Sequence, residues 1–239
     1  MRKSTVFAAV AIAAAFCATS ARAEERAWAW SPLGIGIAAP VQLPFMSSDV
    51  YGIRLGGLFG RNADVYGLDF GVAETTTGSL AGLQASAFSW TSDNAYGVQL
   101  GALANVVDGD FYGLEFGLVN VVWGESWGLR FGAVDYAVNS AGVQFGALLN
   151  WNTSVSYGWQ TSVANVDGDD YFGFAAGAVN YAGKFSGLQL GVVNTAYEAT
   201  GLQLGVVNAV ETMHGVQIGA INMVASSALP VMVIANASF

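Results

Sequence analysis

Residues 187–222 read GLQLGVVNTAYEATGLQLGVVNAVETMHGVQIGAIN, the same eight-residue motif three times with six residues between copies. Weaker copies extend back along the chain as far as Gly52, which makes twelve in all. Their first glycines are 14 to 16 residues apart. Self-similarity at a short, nearly fixed period is typical of repeat architectures. The sequence therefore predicts one structural unit that is repeated over most of the chain.

Each copy alternates between two kinds of residue with a period of two. In the copy that begins at Gly187, Gln189 and Gly191 share one face of an extended chain, and Leu188 and Leu190 share the other. This period indicates a β-strand. Polar segments at 61–64, 91–94, 108–110 and 167–170 separate the copies and are typical of tight turns. We predict a unit of one strand of about ten residues and one turn of about four.

The composition is unusually apolar for a repeat protein in water. The chain is 54% hydrophobic and 10% charged, with a mean hydropathy of +0.46, whereas soluble domains are usually about 25% charged. No run after residue 23 is long and apolar enough for a transmembrane helix. An apolar β chain can cover its surface as a membrane barrel or as a tightly wound solenoid.

The first prediction is an antiparallel transmembrane β-barrel of about 14 short-looped strands. It comprises the twelve copies, a first strand at 31–41 and a last strand at 229–239. A tilted spanning strand needs about 9–11 residues, which matches the predicted unit. One face of each strand would meet lipid, and the other would line a lumen.

The barrel assigns two sets of residues to specific places. The predicted lumen residues stand two positions after the first glycine of eleven copies: Arg54, Asp69, Gln84, Gln99, Glu115, Arg130, Gln144, Gln160, Gln189, Gln203 and Gln217. The predicted aromatic girdle at the membrane interfaces stands just before that glycine: Tyr51, Tyr66, Tyr96, Tyr112, Trp127, Tyr157 and Phe172. Arg54 would neighbour Asp69, and Glu115 would neighbour Arg130, across adjacent strands.

The alternative prediction is a parallel β-solenoid of 14–16-residue coils. In it the leucine column points inward and the glutamine column faces water, with a ladder at a corner that consists of Asn120, Asn180, Asn194, Asn208 and Asn222. Identical motifs in consecutive strands fit parallel coils and are unexpected in an antiparallel barrel. The variable repeat length, the aromatic residues and the low charge favour the barrel. Both folds stay open on the sequence.

The first 23 residues are predicted to be a cleaved secretory signal. Arg2 and Lys3 precede an apolar run, and Ala21-Arg22-Ala23 is an A-x-A cleavage site. Residues 24–239 would then form a single repeat-built β domain without a cysteine, because Cys17 lies inside the signal. We expect the outer membrane of a Gram-negative-type bacterium as the location and its lipid as a partner. Terminal Phe239 resembles the signal by which the barrel-assembly machinery recognises outer-membrane barrels.

No pattern in the sequence predicts catalysis, a cofactor or a metal site. His214 is the only histidine and lies in a predicted turn, and no fixed spacing links it to Ser226 or Ser227 as a nucleophile. The acidic clusters at 108–110 and 167–170 lack the spacing of a calcium loop. Cleavage would leave 5 of the 8 basic residues against 17 acidic ones, which argues against binding nucleic acid. We predict that the protein is not an enzyme.

The GLQLGVVN copies resemble the surface-repeat proteins of Gram-negative bacteria and spirochaetes, which carry tandem G-L-Q-x-G-x-V-N units. The resemblance covers roughly 50–224 and is strict only from 185 onward. It implies an envelope or surface location and no activity. Two functions follow as expectations: a passive pore for small solutes if the fold is a barrel, and a structural or adhesive surface protein if it is a solenoid.

Overall fold

Successive repeats run in the same direction and pair in register in the computed structural model, which describes residues 30–238. Gly52 pairs with Gly67, and the following repeats keep this register, as in the pair Gly82 and Gly97 and the pair Gly201 and Gly215. Corresponding positions of the motif therefore stack on each other from coil to coil. This arrangement is a parallel β-solenoid, and no helix occurs in the part of the chain that the structure describes.

Twelve strands form one hydrogen-bonded network, and several of them run through more than one coil. Their bounds are β1 Trp30–Ala38, β2 Val41–Leu43, β3 Asp49–Asn62, β4 Val65–Phe70, β5 Ala73–Thr76, β6 Leu80–Thr91, β7 Ala95–Val107, β8 Phe111–Asn152, β9 Ser156–Thr161, β10 Ala164–Leu204, β11 Val207–Val224 and β12 Val231–Ser238. At about 4.8 Å between paired strands, twelve coils extend about 58 Å along the solenoid axis.

Each coil consists of two short strands and two corners rather than the single ten-residue strand predicted above. The first sheet contains the strand around the first glycine of each motif, as in the pairing of 50–55 with 65–70. The second sheet contains the strand that follows, as in the pairing of 59–62 with 73–76. The glycine corner, four to six residues after the first glycine, joins the first sheet to the second. The polar segments before the next motif form the opposite corner.

The first glycine of every motif, here called the repeat glycine, is fixed by backbone geometry. In Gly113 the φ angle is +145°, which L side chains rarely adopt. A Cβ atom added there would lie 1.9 Å from the carbonyl oxygen of Gly97 in the coil before. The repeat glycines therefore stack into a column that has no room for a side chain.

The parallel register shows that the predicted antiparallel barrel is wrong and that the alternative solenoid is the better description. The physical reason is that an in-register stack lets each motif pair with its own copy. β1 pairs with β3 and β12 pairs with β11, so the strands predicted at 31–41 and 229–239 close the two ends. The predicted signal at 1–23 and Phe239 lie outside the described residues.

The solenoid is inverted relative to the alternative prediction, which placed leucine inside and glutamine in water. Gln84, Gln203 and Gln217 are completely buried. Leu55 and Leu68, which stand next to the glutamine-column positions in their own repeats, are 45% and 40% exposed. The predicted orientation was therefore wrong. Apolar residues fill the remaining inward positions in two clusters, one around Val50 and Phe111 and one around Tyr171 and Phe185.

Candidate functional site

A ladder of asparagines runs through the solenoid interior at the start of the second sheet. Asn165, Asn180, Asn194 and Asn208 are buried, and each donates from Nδ2 to the Oδ1 of the next asparagine at 2.8 Å. The other Nδ2 hydrogen reaches a carbonyl of the first sheet, as in the 2.8 Å bond from Asn180 to Leu190. The ladder thus ties successive coils to each other and the two sheets together.

The predicted ladder is confirmed, and it is longer than predicted. Asn105, Asn150 and Asn165 are rungs that the sequence interpretation omitted, although they stand seven or eight residues after a repeat glycine like the others. Glu74 and Asp135 occupy the same place in their own repeats. The sequence could have identified these three asparagines and two carboxylates as rungs, because each stands seven or eight residues after a repeat glycine.

The residues predicted to line a lumen form a second interior column, in the first sheet. All eleven are buried. Gln217 donates to Gln203 at 2.8 Å and Gln203 donates to Gln189 at 2.7 Å, toward the start of the chain and opposite to the asparagine ladder. The predicted neighbours Arg54 and Asp69 do form an ion pair.

A buried charge cluster lies in the first coils. Arg54 donates from Nε and Nη2 to the two oxygens of Asp69, and its Nη2 lies 3.1 Å from Oε2 of Glu74. The Glu74 carboxylate fills a space where Cβ atoms on Gly56 and Gly71 would collide with it. Burial raises the pKa of Glu74 to about 8, Asp69 adds to the rise, and the positive charge of Arg54 opposes it.

A second buried cluster contains Glu115, Arg130 and Asp135. Arg130 donates to the carbonyl oxygen of Tyr136 at 2.9 Å, and Asp135 accepts from Asn120 at 2.7 Å. Burial raises the pKa of Glu115 to about 8, an effect that the charge of Arg130 opposes and that of Asp135 reinforces. Burial also raises the pKa of Asp135. The cluster is sealed inside the coil stack and has no exposed carboxylate for chemistry.

Asp167 is a further interior carboxylate, in a coil after those of Glu115 and Asp135. It accepts hydrogen bonds from Gln160 at 3.0 Å and from Asn152 at 3.1 Å. Burial raises its pKa to about 6, and these hydrogen bonds to the charged form limit the rise. Its neighbours Asp169 and Asp170 lie at the corner opposite the glycine corner, so the acidic cluster at 167–170 is divided between interior and surface.

The seven residues of the predicted aromatic girdle form one column on the outer face of the first sheet. Tyr51 and Tyr66 stack with ring centroids 4.8 Å apart, and Tyr96 and Tyr112 stack at 5.3 Å. A second aromatic column beside it includes Phe116, whose ring lies 4.7 Å from that of Phe131. Because the coils are parallel, the rings lie along one line rather than at two ends of a wall.

Non-buried charge is confined to one corner of the coil and to the end of the second sheet beside it, where Arg61 pairs with Thr75. Every charged residue of 30–238 that is not buried stands three to six positions before a repeat glycine, in what we call the acidic corner. These residues are Asp49, Arg61, Asp64, Asp93, Asp108, Asp110, Glu125, Asp169, Asp170, Lys184, Glu198 and Glu211. Several of these carboxylates also bind the next coil, as when Asp110 accepts from the Glu125 amide at 2.8 Å.

The glycine corner has the opposite chemistry. Its residues in all twelve coils are Gly, Ala, Ser, Leu, Val, Ile or Phe, and none is charged. Leu58, Leu103 and Leu148 are 67%, 44% and 60% exposed there. A shallow apolar groove of about 530 Å³ follows this corner across the first coils, between Ile37 and Val72.

The residues weighed for catalysis are not brought together. His214 and Ser226 are exposed, and no hydrogen bond joins them among the described residues. Asp108, from the acidic cluster at 108–110, accepts a hydrogen bond from the Trp90 indole at 2.9 Å. Residues 30–238 hold no cluster of three or more His, Cys, Asp or Glu side chains placed to bind a metal ion. Nor does any helix in that range have the length and apolar character needed to cross a membrane.

What distinguishes the molecule is therefore an extended surface rather than a pocket. Many polar side chains pair along interior columns, and mainly apolar side chains cover the outside away from the acidic corner. Comparison with known proteins gives no relative, since no family model matches the chain and neither a curated protein nor a solved structure is significantly similar to it.

Proposed function

We propose that the protein is a structural surface-repeat protein of the bacterial cell envelope, a rigid rod that acts through its length and its outer surface. One observation carries the proposal: the same ladder contacts recur from coil to coil, and the charged side chains that interrupt them are buried. The asparagine bonds stay within 2.8–2.9 Å from Asn150 to Asn222. Catalysis would instead need a few side chains that converge on one point.

Transport through the molecule has little support in this architecture. The glutamine column that the barrel prediction assigned to a lumen bonds along itself, and Gln144 bonds across the interior to Asn152 at 3.1 Å in both directions. Amide side chains thus occupy the interior together with the apolar clusters around Phe111 and Tyr171. The envelope location rests on the predicted signal at 1–23 and on the resemblance of the GLQLGVVN copies to surface repeats.

Excision of one whole coil tests the rod directly. Deletion of 187–200 removes 14 residues and brings Gly201 into the place of Gly187, so every ladder can close again. We expect this variant to be exported and to keep its β-sheet circular dichroism, with a rod shorter by about 4.8 Å. The matched control is deletion of 187–193, which removes half a coil and should abolish folding.

Fractionation and conductance complete the test. Wild type and the 187–200 deletion should both reach the envelope fraction, and neither should give stepwise conductance in planar lipid bilayers. Stepwise single-channel currents from the wild type would refute the structural role and favour a pore. Loss of all folded protein on removal of one whole coil would refute the interchangeable-coil rod.

A further inference from the structure

The cross-section of the solenoid is amphipathic. The acidic corner, with Arg61 at the adjoining end of the second sheet, carries all twelve non-buried charges of 30–238, ten of them acidic. The outer faces of the two sheets are otherwise uncharged, as is the glycine corner. At about 58 Å long and about 16 Å across, the outer face of the first sheet alone covers about 900 Å², which exceeds the few hundred Å² of a typical exposed apolar patch. It therefore requires a partner.

The backbone at the glycine corner is suited to an apolar surrounding. The amide of Val72 donates to the carbonyl oxygen of Gly57 at 3.0 Å, and the amide of Val206 donates to that of Val192 at 3.0 Å. Ile221 continues the series with a 3.0 Å bond to Val206. Hydrocarbon excludes unpaired backbone groups because each costs several kcal/mol, and coil-to-coil pairing satisfies these groups at the corner that is farthest from the charges.

The dimensions match one leaflet of a bilayer. From the glycine corner to the tyrosine column the first sheet spans five residues, or about 16 Å. Half of a 30 Å hydrocarbon core is about 15 Å. Tyr51, Tyr66 and their column would then lie at the level where tyrosine and tryptophan are favoured, with ring bodies in lipid and hydroxyls in water. On the second sheet Trp123, Trp151 and Tyr197 lie toward the acidic corner and are 39%, 38% and 63% exposed.

A second copy of the chain would leave the surface incompletely covered. Sheet packing covers one face at a time, whereas here both faces, apart from Arg61 at one edge, and the corner between them are uncharged. Acyl chains cover all three at once. The excess of carboxylates at the acidic corner, with Lys184 and Arg61 as the two exceptions, disfavours anionic headgroups and favours neutral ones.

We propose that the solenoid lies in one leaflet of a neutral phospholipid membrane, with its axis in the membrane plane, its glycine corner in the acyl chains and its acidic corner in water. This inference rests on the proposed envelope role and names the partner of the rod.

Depth measurements on two labelled positions test the arrangement. Leu148→Cys at the glycine corner and Asp169→Cys at the acidic corner, each in the full chain with Cys17→Ser, carry an environment-sensitive fluorophore. Detergent is removed in the presence of phosphatidylcholine vesicles. We expect the probe at position 148 to shift to the blue and to be quenched by nitroxides on the acyl chains, and the probe at 169 to stay accessible to aqueous iodide.

A charge placed in the same two regions provides the matched control. Leu148→Arg should lower partitioning into the vesicles at least about tenfold, whereas Ser154→Arg at the acidic corner should not lower it. Because Leu148 is 60% exposed, its replacement leaves the interior intact, and circular dichroism verifies the fold.

Two results would overturn the lipid docking. The first is a probe at position 148 that stays accessible to iodide in the presence of vesicles. The second is a probe at position 148 that is equally shielded from iodide without vesicles, in a stable dimer. The second result would identify a second copy of the chain as the partner that covers the surface. In either case the coil excision could still succeed, so failure of the lipid partner is distinguishable from failure of the structural role.

Discussion

Asn180→Ala should be among the most destabilising single substitutions in the solenoid. The Asn180 amide accepts from Asn165 and donates to Asn194 and to the Leu190 carbonyl, all at 2.8 Å. Its removal deprives the buried Asn194 Oδ1 of this donor and Asn165 of one of its two acceptors. At about 1–3 kcal/mol for each of these two buried polar groups, we expect a loss of about 2–6 kcal/mol of unfolding free energy.

Two other substitutions calibrate this value in denaturant unfolding followed by circular dichroism. Asn222→Ala removes the last rung, after which Asn208 Nδ2 keeps its 3.0 Å bond to the Ile218 carbonyl, so about 1–2 kcal/mol is expected. Val179→Ala, on a side chain that is 40% exposed, should cost less than about 1 kcal/mol. Equal effects of Asn180→Ala and Val179→Ala would refute the claim that the amide ladder holds the coils together.

Three further substitutions probe other parts of the interior. Gly128→Ala should cost at least about 3 kcal/mol in the same unfolding assay, because φ is +135° and the new Cβ would lie 2.0 Å from a carbonyl oxygen of the preceding coil. Glu115→Gln should flatten the pH dependence of stability. Because the pKa of Glu115 is raised from 4.5 to about 8, the folded wild type holds a proton between these pH values that the unfolded chain releases. The unfolding free energy of the wild type therefore falls as pH rises across that window, by up to about 1.4 kcal/mol per pH unit. Asp69→Asn should cost about 3–5 kcal/mol by leaving the buried Arg54 without its main partner, while exposed Asp169→Asn should change the melting temperature little.

The sequence contained the repeat, the period-two alternation and the side-chain columns, and these were enough to define the length of the repeat and which residues share a column. It did not reveal which face is inside. Alternation in the copy at Gly187 separates Gln189 from Leu188 equally well in a barrel and in either kind of solenoid. Polar residues can occupy the interior only because Gln203 pairs with Gln189 in the next coil, and that pairing depends on the parallel register.

The second strand of each coil was missed for a local reason. The motif reads as one extended segment because alternation continues past Gly191, and a glycine within a strand does not by itself specify a corner. In the structure the chain changes sheets there, which brings Asn194 to face the interior from the second sheet. Leu188 and Leu190, whose face suggested a lipid-facing wall, lie instead on the outer face of the first sheet.

The distance between labels at Thr200 and His214 tests the parallel solenoid most directly. These two exposed residues pair across neighbouring coils, one residue before Gly201 and Gly215. With spin labels on Thr200→Cys and His214→Cys in the Cys17→Ser background, the parallel solenoid predicts strong dipolar broadening, because the two backbones are about 4.8 Å apart. A separation above about 20 Å, as antiparallel neighbours of about ten residues would place them, would contradict the solenoid.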